Sequence, residues 1–180
     1  MARLKFASTW FGGCSGCHMS FLDLDEWLVD LAQLVDVVYG PVVDTKVYPD
    51  NVDLCLIEGT VCNEDHLELA HRIRERTKII VSFGDCAVTG NVTAMRNPFG
   101  GADVVLRRAY MDLASIAPQI PKEPGILPVL LDRVVPVHEV IPVDYYLPGC
   151  PPPASRIKAL LTQLVTGGPV QQTGAQIKFG

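Results

Sequence analysis

Short apolar segments alternate with helix-like segments along the first half of this chain, and that alternation limits the folds open to it. Apolar residues recur at helical spacing over Phe21–Val35, and a second helix is predicted over Glu64–Arg76, with Asn63 as its N-cap. Strands are predicted around these helices at residues 4–9, 37–39, 52–57 and 78–83. Strands and helices that alternate in this way form a parallel sheet with crossover helices. The sequence therefore predicts an α/β fold, an open parallel sheet with helices on both faces.

Prolines change this pattern in the second half of the chain. A helix is predicted over Ala102–Ala117, but most of the 14 prolines fall within Pro118–Pro153. Because proline is unfavourable in helix interiors and central strands, we expect this segment to cross the surface as extended chain. A last strand is predicted at Val143–Leu147. A final helix is predicted at Pro153–Val165, ended by Gly167-Gly168.

The length of the chain suits one domain. It has 180 residues, and domains commonly have about 100 to 200. We predict a single domain over residues 1–168 and a C-terminal tail, residues 169–180, that is ordered by a partner. Charged residues make up only 19% of the chain, against about 25% in an average soluble domain. This shortage of charge indicates a surface that a partner covers.

Charge and hydropathy exclude two kinds of partner. The net charge is −5, and an acidic protein binds the phosphates of nucleic acids poorly. No apolar run approaches the roughly 18 residues that a membrane-spanning helix needs, and the N-terminal residues do not form an export signal. We therefore expect a cytoplasmic protein with no nucleic-acid partner and no direct membrane insertion.

The six cysteines are the residues most informative about chemistry, because thiols in a reducing compartment are more often metal ligands or catalysts than disulfides. Cys14 and Cys17 follow the first predicted strand, and Cys86 and Cys150 each lie three residues beyond a later one. Because the carboxyl ends of parallel strands meet at one edge of a sheet, we expect these four thiols to lie together. Four thiolates are the ligands of a cubane iron–sulfur cluster.

Other interpretations of the cysteines stay open at this stage. Cys14–His18 matches the C-x-x-C-H pattern of haem attachment, and its C-x-x-C also suggests a thioredoxin-like redox pair, but both leave Cys86 and Cys150 unexplained. Structural zinc accepts four thiolates, although its sites usually draw on two local pairs. Cys55 lies inside an apolar strand and is predicted to be a core residue. Cys62 lacks a neighbouring glycine or proline and is predicted to lie next to the site.

Four short segments carry a resemblance to a known family: WFGGCSGCHMS at residues 10–20, EGTV at 58–61, GDCA at 84–87 and PGCPP at 148–152. Together they resemble the small subunit of [NiFe] hydrogenases. The segment TGNVTAMRNP at residues 89–98 is similar to the soluble, NAD-reducing type. The resemblance runs from about Phe6 to about Val165, and all four ligand positions are present in order.

The resemblance implies a flavodoxin-like domain with one [4Fe–4S] cluster at the C-terminal edge of the strands, bound by Cys14, Cys17, Cys86 and Cys150. It places the nickel–iron centre in a large subunit, and further iron–sulfur clusters, FMN and NAD in diaphorase subunits. This chain would contain no catalytic centre and would relay electrons in the reaction H2 + NAD+ → NADH + H+. The alternative is an iron–sulfur subunit of a quinone-linked, complex I-like or membrane-anchored hydrogenase complex.

Four further expectations concern the type of subunit, Glu58, His18 and flavin. Ser15-Gly16 separates the first two cysteines, which are usually adjacent in the related complex I subunit, and this favours a hydrogenase. Glu58 matches an acidic position of hydrogenase small subunits; it either couples proton movement to electron transfer or accepts backbone hydrogen bonds at a strand end. His18 is expected beside the cluster or at an interface. We expect no flavin in this chain, because Cys14 and Cys17 occupy the loop where a flavodoxin binds phosphate, and no glycine-rich nucleotide motif is present.

Overall fold

A parallel sheet forms the centre of the computed structural model, which describes residues 3–179. Seven strands are found among these residues: β1 (Leu4–Trp10), β2 (Val35–Tyr39), β3 (Val52–Glu58), β4 (Val61–Asn63), β5 (Thr77–Phe83), β6 (Leu130–Val135) and β7 (Tyr145–Leu147). Five of them form the central sheet in the order β2-β1-β3-β5-β7, with every neighbouring pair parallel. This is the strand order of flavodoxin-like proteins, so the predicted fold class is confirmed.

Helices cover both faces of this sheet. The α-helices among the described residues are α1 (Gly16–Leu22), α2 (Trp27–Leu34), α3 (Glu64–Arg76), α4 (Asp85–Thr89), α5 (Ala102–Arg107) and α6 (Ala154–Thr166). The side chain of Asn63 accepts the backbone N–H of His66 at 2.8 Å and caps α3 as predicted. Gly167, with a φ of 70°, ends α6 in the left-handed conformation that glycine adopts without steric cost.

The core lies on both sides of β3, whose side chains alternate between the two faces. Leu54 and Leu56 pack with the apolar side chains of α6, while Cys55 and Ile57 pack with those of α3. All four β3 side chains are almost fully buried. A strand buried on both faces is typical of a parallel sheet, and its burial fixes where the carboxyl end of β3 lies.

The predicted helix over Phe21–Val35 is wrong, because the chain breaks there into α1 and α2. Asp25 has a φ of 49°, a left-handed conformation that aspartate tolerates better than most residues. Leu24 and Leu31 nevertheless pack in the same core cluster. The apolar periodicity continues through the break because both helices face the same side of the sheet.

Three other predictions for the second half need correction. The helix predicted over Ala102–Ala117 ends earlier, since α5 stops at Arg107 and one π-helical turn, Arg108–Asp112, follows it. The proline-rich segment is not extended throughout, because a 3-10 turn, Val137–Glu139, lies within it, and its extended part includes β6, which pairs antiparallel with β4. β6 fits between Pro128 and Pro136, so its residues all keep a backbone N–H. The last strand begins at Tyr145 rather than Val143.

The C-terminal segment packs on the domain. Arg156 of α6 donates to the carbonyls of Gln176 at 2.6 Å and Lys178 at 2.9 Å, and Val170 packs against the core. The boundary at residue 168 and the ordering of the tail by a partner stay predictions. Within residues 3–179, no helix has the length and apolar character needed to cross a membrane.

Candidate metal centre

Four cysteines line one cavity at the carboxyl edge of the central sheet. Cys14 lies in the loop after β1, Cys17 in the first turn of α1, Cys86 in α4 and Cys150 three residues beyond β7. The cavity has a volume of about 90 Å³ and is also lined by Gly16, Glu58, Asp85, Gly149 and Pro151. A single water needs roughly 10–15 Å³, so the space accommodates a much larger group.

Glycines leave this space open around the sulfurs. At Gly84, which has a φ of +85°, an added Cβ atom would lie 2.1 Å from the Sγ of Cys17. At Gly16 it would lie 3.2 Å from the Sγ of Cys14, and the Gly16 backbone N–H donates to that sulfur at 3.4 Å. The glycines next to the cysteines therefore allow both close packing and hydrogen bonding to sulfur.

Asp85 connects the loops that carry the last two cysteines. Its buried carboxylate accepts the backbone N–H of Gly149 at 2.6 Å, and its own backbone N–H donates to the Gly149 carbonyl at 2.9 Å. Arg156 supports the same loop by donating to the carbonyl of Pro148 at 2.7 Å. Asp85 was not predicted as a site residue from the sequence, although its place beside Cys86 was a signal that could have identified it.

Glu58 holds the first turn of α1 from the end of β3. It is 3% exposed, and its carboxylate accepts the backbone N–H groups of Cys17 at 3.2 Å and His18 at 2.9 Å. The same carboxylate contacts Nδ1 of the His18 ring. These contacts agree with the expectation that Glu58 accepts backbone hydrogen bonds at a strand end, and they fix the position of Cys17.

His18 lies between the cysteine cavity and a second, apolar cavity. Its ring makes edge contacts with Trp10 and Phe83, at centroid distances of 5.6 Å and 5.8 Å. With Trp10 and Met19 it lines a cavity of about 310 Å³, and its buried Nε2 has no hydrogen-bond partner among the described residues. The ring is thus adjacent to a cysteine of the site but does not line the cysteine cavity.

Thiolate charge is unfavourable in this cavity without a bound cation. Burial raises the pKa of the Cys17 thiol far above its ordinary value, and the Glu58 carboxylate raises it further. Burial also raises the pKa of Cys86, with added repulsion from Cys14 and Cys150. Because coordination to a metal deprotonates a thiol, a metal-containing group removes this penalty.

The four cysteines line the cavity from three separate segments of the chain. Among residues 3–179, no group of three or more His, Cys, Asp or Glu side chains is placed to hold a metal ion. Structural zinc requires four ligands within about 2.0–2.3 Å of one centre, whereas the four thiolates of a cubane cluster each bind a different iron. Four thiols around a cavity of about 90 Å³ fit the second case.

The other two cysteines lie outside the cavity. Cys55 is fully buried in β3, and its burial raises the pKa of the thiol to about 12. The Sγ of Cys62 lies 3.4 Å from Nδ1 of His66, and an added Cβ on Gly12 would lie 2.6 Å from that sulfur. Cys55 is therefore a core residue, and Cys62 lies near the loop that leads to Cys14.

Asn91 is a further residue of the site that sequence analysis did not identify. Its side-chain Nδ2 donates to the Sγ of Cys150 at 3.3 Å. Its position within the TGNVTAMRNP segment, close after Cys86, was the available signal.

Comparison with known proteins assigns the chain to a family. Residues 14–164 match the family described as NADH ubiquinone oxidoreductase, 20 Kd subunit. The chain belongs to this family. The matched segment contains all four cysteines of the cavity, so the family relationship covers the whole site.

Relatives within the family include hydrogenase subunits. The chain is 39% identical over 171 residues to the NAD-reducing hydrogenase HoxS subunit delta of Cupriavidus necator, covering 93% of this chain and 81% of that one. It is 34% identical over 176 residues to a subunit of the F420-non-reducing hydrogenase of Methanothermobacter thermautotrophicus, covering 94% of this chain and 56% of the relative. The chain thus spans only about half the length of that archaeal relative.

Solved structures agree with these relationships. A chain of an NAD+-reducing [NiFe]-hydrogenase in the H2-reduced state superposes with a TM-score of 0.93 at 36% identity, covering 99% of this chain and 100% of that one. The [NiFeSe]-hydrogenase of Dm. baculatum gives a TM-score of 0.57 at 14% identity, covering 97% of this chain and 69% of that one, and shows a shared fold. The resemblance to hydrogenase small subunits predicted from the sequence is confirmed.

Proposed function

We propose that this chain is the electron-transfer small subunit of an NAD-reducing [NiFe] hydrogenase, in which Cys14, Cys17, Cys86 and Cys150 bind one [4Fe–4S] cluster. The observation that carries the proposal is the convergence of these four cysteines on one cavity. The match to a chain of an NAD+-reducing hydrogenase along almost the full length of this one supports it.

The residues of the cavity fit such a cluster. When bound, a [4Fe–4S] cluster accepts and releases one electron at a time. The chain supplies four thiolates from three separate segments, Glu58 orients the turn that carries Cys17, and Asp85 holds the loop that carries Cys150. Gly84 leaves room beside the Cys17 sulfur. Each of these contributions is made by a group that lines the cavity or lies directly behind it.

One side of the site faces outward. Cys14 and Cys150 are exposed, Cys86 is half-buried and Cys17 is buried. We propose that a large subunit carrying the nickel–iron centre covers the exposed side, so that hydrogen is cleaved outside this chain. Large apolar side chains near the site support a covered surface, since Met19 is 53% exposed and Val92 is 62% exposed.

We further propose that the electrons pass to diaphorase subunits that carry the other iron–sulfur clusters, FMN and NAD, in a cytoplasmic complex. In this proposal the chain itself binds no flavin, because Cys14 and Cys17 occupy the loop after β1 that receives the phosphate in a flavodoxin. The overall reaction is H2 + NAD+ → NADH + H+.

The proposal is tested on the complex purified anaerobically from cells that express the chain with its neighbouring subunits. We expect about four iron and four sulfide per chain of this subunit beyond those of the partners, and an EPR signal of a reduced cubane cluster. Zinc, or no metal, in the cysteine site would overturn the assignment. Co-purification with membrane subunits, without NAD reduction, would support the quinone-linked alternative that the family description suggests.

A further inference from the structure

We infer that Asn91 sets the reduction potential of the site by donating a side-chain hydrogen bond to the Cys150 sulfur. This inference rests on the proposed iron–sulfur function and adds to it a residue that is not a ligand. The Nδ2 atom of Asn91 lies 3.3 Å from the Sγ of Cys150. Among the described residues, it is the side-chain donor that reaches one of the four sulfurs of the cavity.

The turn after α4 places Asn91 firmly. The backbone N–H of Gly90 donates to the carbonyl of Cys86 at 2.9 Å, and the hydroxyl of Thr93 donates to the carbonyl of Gly90 at 2.7 Å. Asn91 is therefore connected through a short hydrogen-bonded turn to one cysteine and contacts another. Its side-chain amide contacts Cys150, which is distant in sequence from Cys86.

The backbone of Asn91 adopts a conformation that is uncommon for a residue other than glycine. Its φ of 39° lies in the left-handed region, which non-glycine residues occupy mainly where the surrounding structure fixes them, often at functional sites. Asparagine tolerates this region better than most residues. Glycine would fit this backbone conformation equally well, but it has no side-chain amide with which to reach the Cys150 sulfur.

A donor at this position favours the reduced state. Reduction adds negative charge to the cluster and its thiolates, and an N–H group directed at sulfur stabilises that charge. Hydrogen bonds to the sulfurs are among the factors that set iron–sulfur potentials. Gly16 makes a comparable bond to Cys14 through its backbone, which no side-chain substitution removes. Asn91 supplies a bond that one substitution removes.

The test measures the midpoint potential of the cluster by EPR-monitored titration of the purified complex carrying Asn91→Gly or Asn91→Asp. Asn91→Gly keeps the backbone conformation and removes the donor, so we expect one-electron reduction to become about tenfold less favourable, a fall of about 59 mV. Asn91→Asp keeps the size and adds a negative charge, so the fall should be larger. Asn97→Asp is the matched control, because Asn97 lies in the same segment but bonds to the backbone of Val134.

The outcomes separate this inference from the proposed function. A cluster with wild-type potential in both Asn91 variants would overturn the inference and leave the proposed function standing. Loss of the cluster from both Asn91 variants, with an intact cluster in Asn97→Asp, would also overturn it, since Asn91 would then serve assembly. Absence of any cluster from the wild-type chain would overturn the proposed function itself.

Discussion

The carboxylate of Asp85 and the backbone N–H of Gly149 are joined by a buried 2.6 Å hydrogen bond, and the return bond from the Asp85 N–H to the Gly149 carbonyl is 2.9 Å. Cys86 follows Asp85 and Cys150 follows Gly149. The paired bonds therefore set the separation of two cysteines that lie beyond different strands of the sheet. The relationship explains why an acidic residue is buried beside thiols that carry negative charge when they bind metal.

Asp85→Ala should weaken both the fold and the metal site. It leaves the buried N–H of Gly149 without an acceptor, which costs about 1–3 kcal/mol, and it frees the Cys150 loop. We expect a lower unfolding free energy and less iron per chain, measured by denaturation and by iron and sulfide assays. Asp53→Ala is the control, because Asp53 accepts a backbone N–H from Lys5 at the exposed surface. Equal iron content in the two variants would contradict a role for Asp85 in placing Cys150.

Gly84→Ala should prevent cluster binding. Its Cβ would lie 2.1 Å from the Sγ of Cys17, so the thiolate must move away from the cavity. Gly100→Ala separates this contact from backbone strain, since Gly100 has a similar φ of +91° with no atom within 4 Å of an added Cβ. We expect both variants to lose stability but only Gly84→Ala to lose iron. Iron loss to the same extent in Gly100→Ala would show that backbone strain alone is responsible.

Cys62→Ser should retain the cluster, whereas Cys86→Ser should lose it. Cys62 contacts His66 and does not line the cysteine cavity, so its thiol is not required for binding iron. Cys86 lines the cavity together with the other three cysteines. Iron content and EPR of the two purified variants check the prediction. Loss of the cluster from Cys62→Ser, together with its retention in Cys86→Ser, would show that Cys62 is a ligand and Cys86 is not.

The sequence predicted those parts of the fold and site that depend on local pattern. Strands such as β3 are recognisable because burial on both faces demands continuous apolar residues, and cysteines that follow such strands must meet at one edge of the sheet. The break at Asp25 was missed because the two helices on either side of it share one apolar face. β4 was missed because three residues are too few to show a periodicity.

Contacts between distant polar groups were beyond the reach of the sequence. The bonds from Asp85 to Gly149 and from Asn91 to Cys150 span 64 and 59 positions along the chain, and they exist only because β5 and β7 are neighbours in the sheet. Nothing in the spacing of these residues fixes their separation. The sequence predicted the thiols of the site and singled out Glu58, but it did not identify Asp85 or Asn91.

Glu58→Gln distinguishes the two expected roles of that carboxylate. Both backbone N–H groups at the start of α1 need an acceptor, and the amide keeps only one oxygen and introduces competing donors. We expect the unfolding free energy to fall by about 1–3 kcal/mol, while hydrogen turnover per cluster stays unchanged. Turnover normalised to EPR-quantified cluster is the deciding measurement. A tenfold or greater loss of turnover per cluster would instead assign the proton-coupling role to Glu58.

His66 should make the domain less stable at mildly acidic pH. Its ring stacks on Phe11 at a centroid distance of 4.9 Å, and burial lowers its pKa below the ordinary 6.5. Between the lowered pKa of the folded state and the ordinary 6.5 of the unfolded chain, the unfolded chain binds more protons at His66 than the folded state does. The stabilisation is complete above about pH 6.5 and is lost as the pH falls below it, by at most about 1.4 kcal/mol per pH unit. Denaturation between pH 5 and 7 should thus give a flatter profile for His66→Gln than for wild type. His71→Gln is the control, because His71 is exposed on the same helix and His66 remains in that variant; it should keep the wild-type slope. Parallel profiles for wild type and His66→Gln would rule out His66 as a source of the pH dependence.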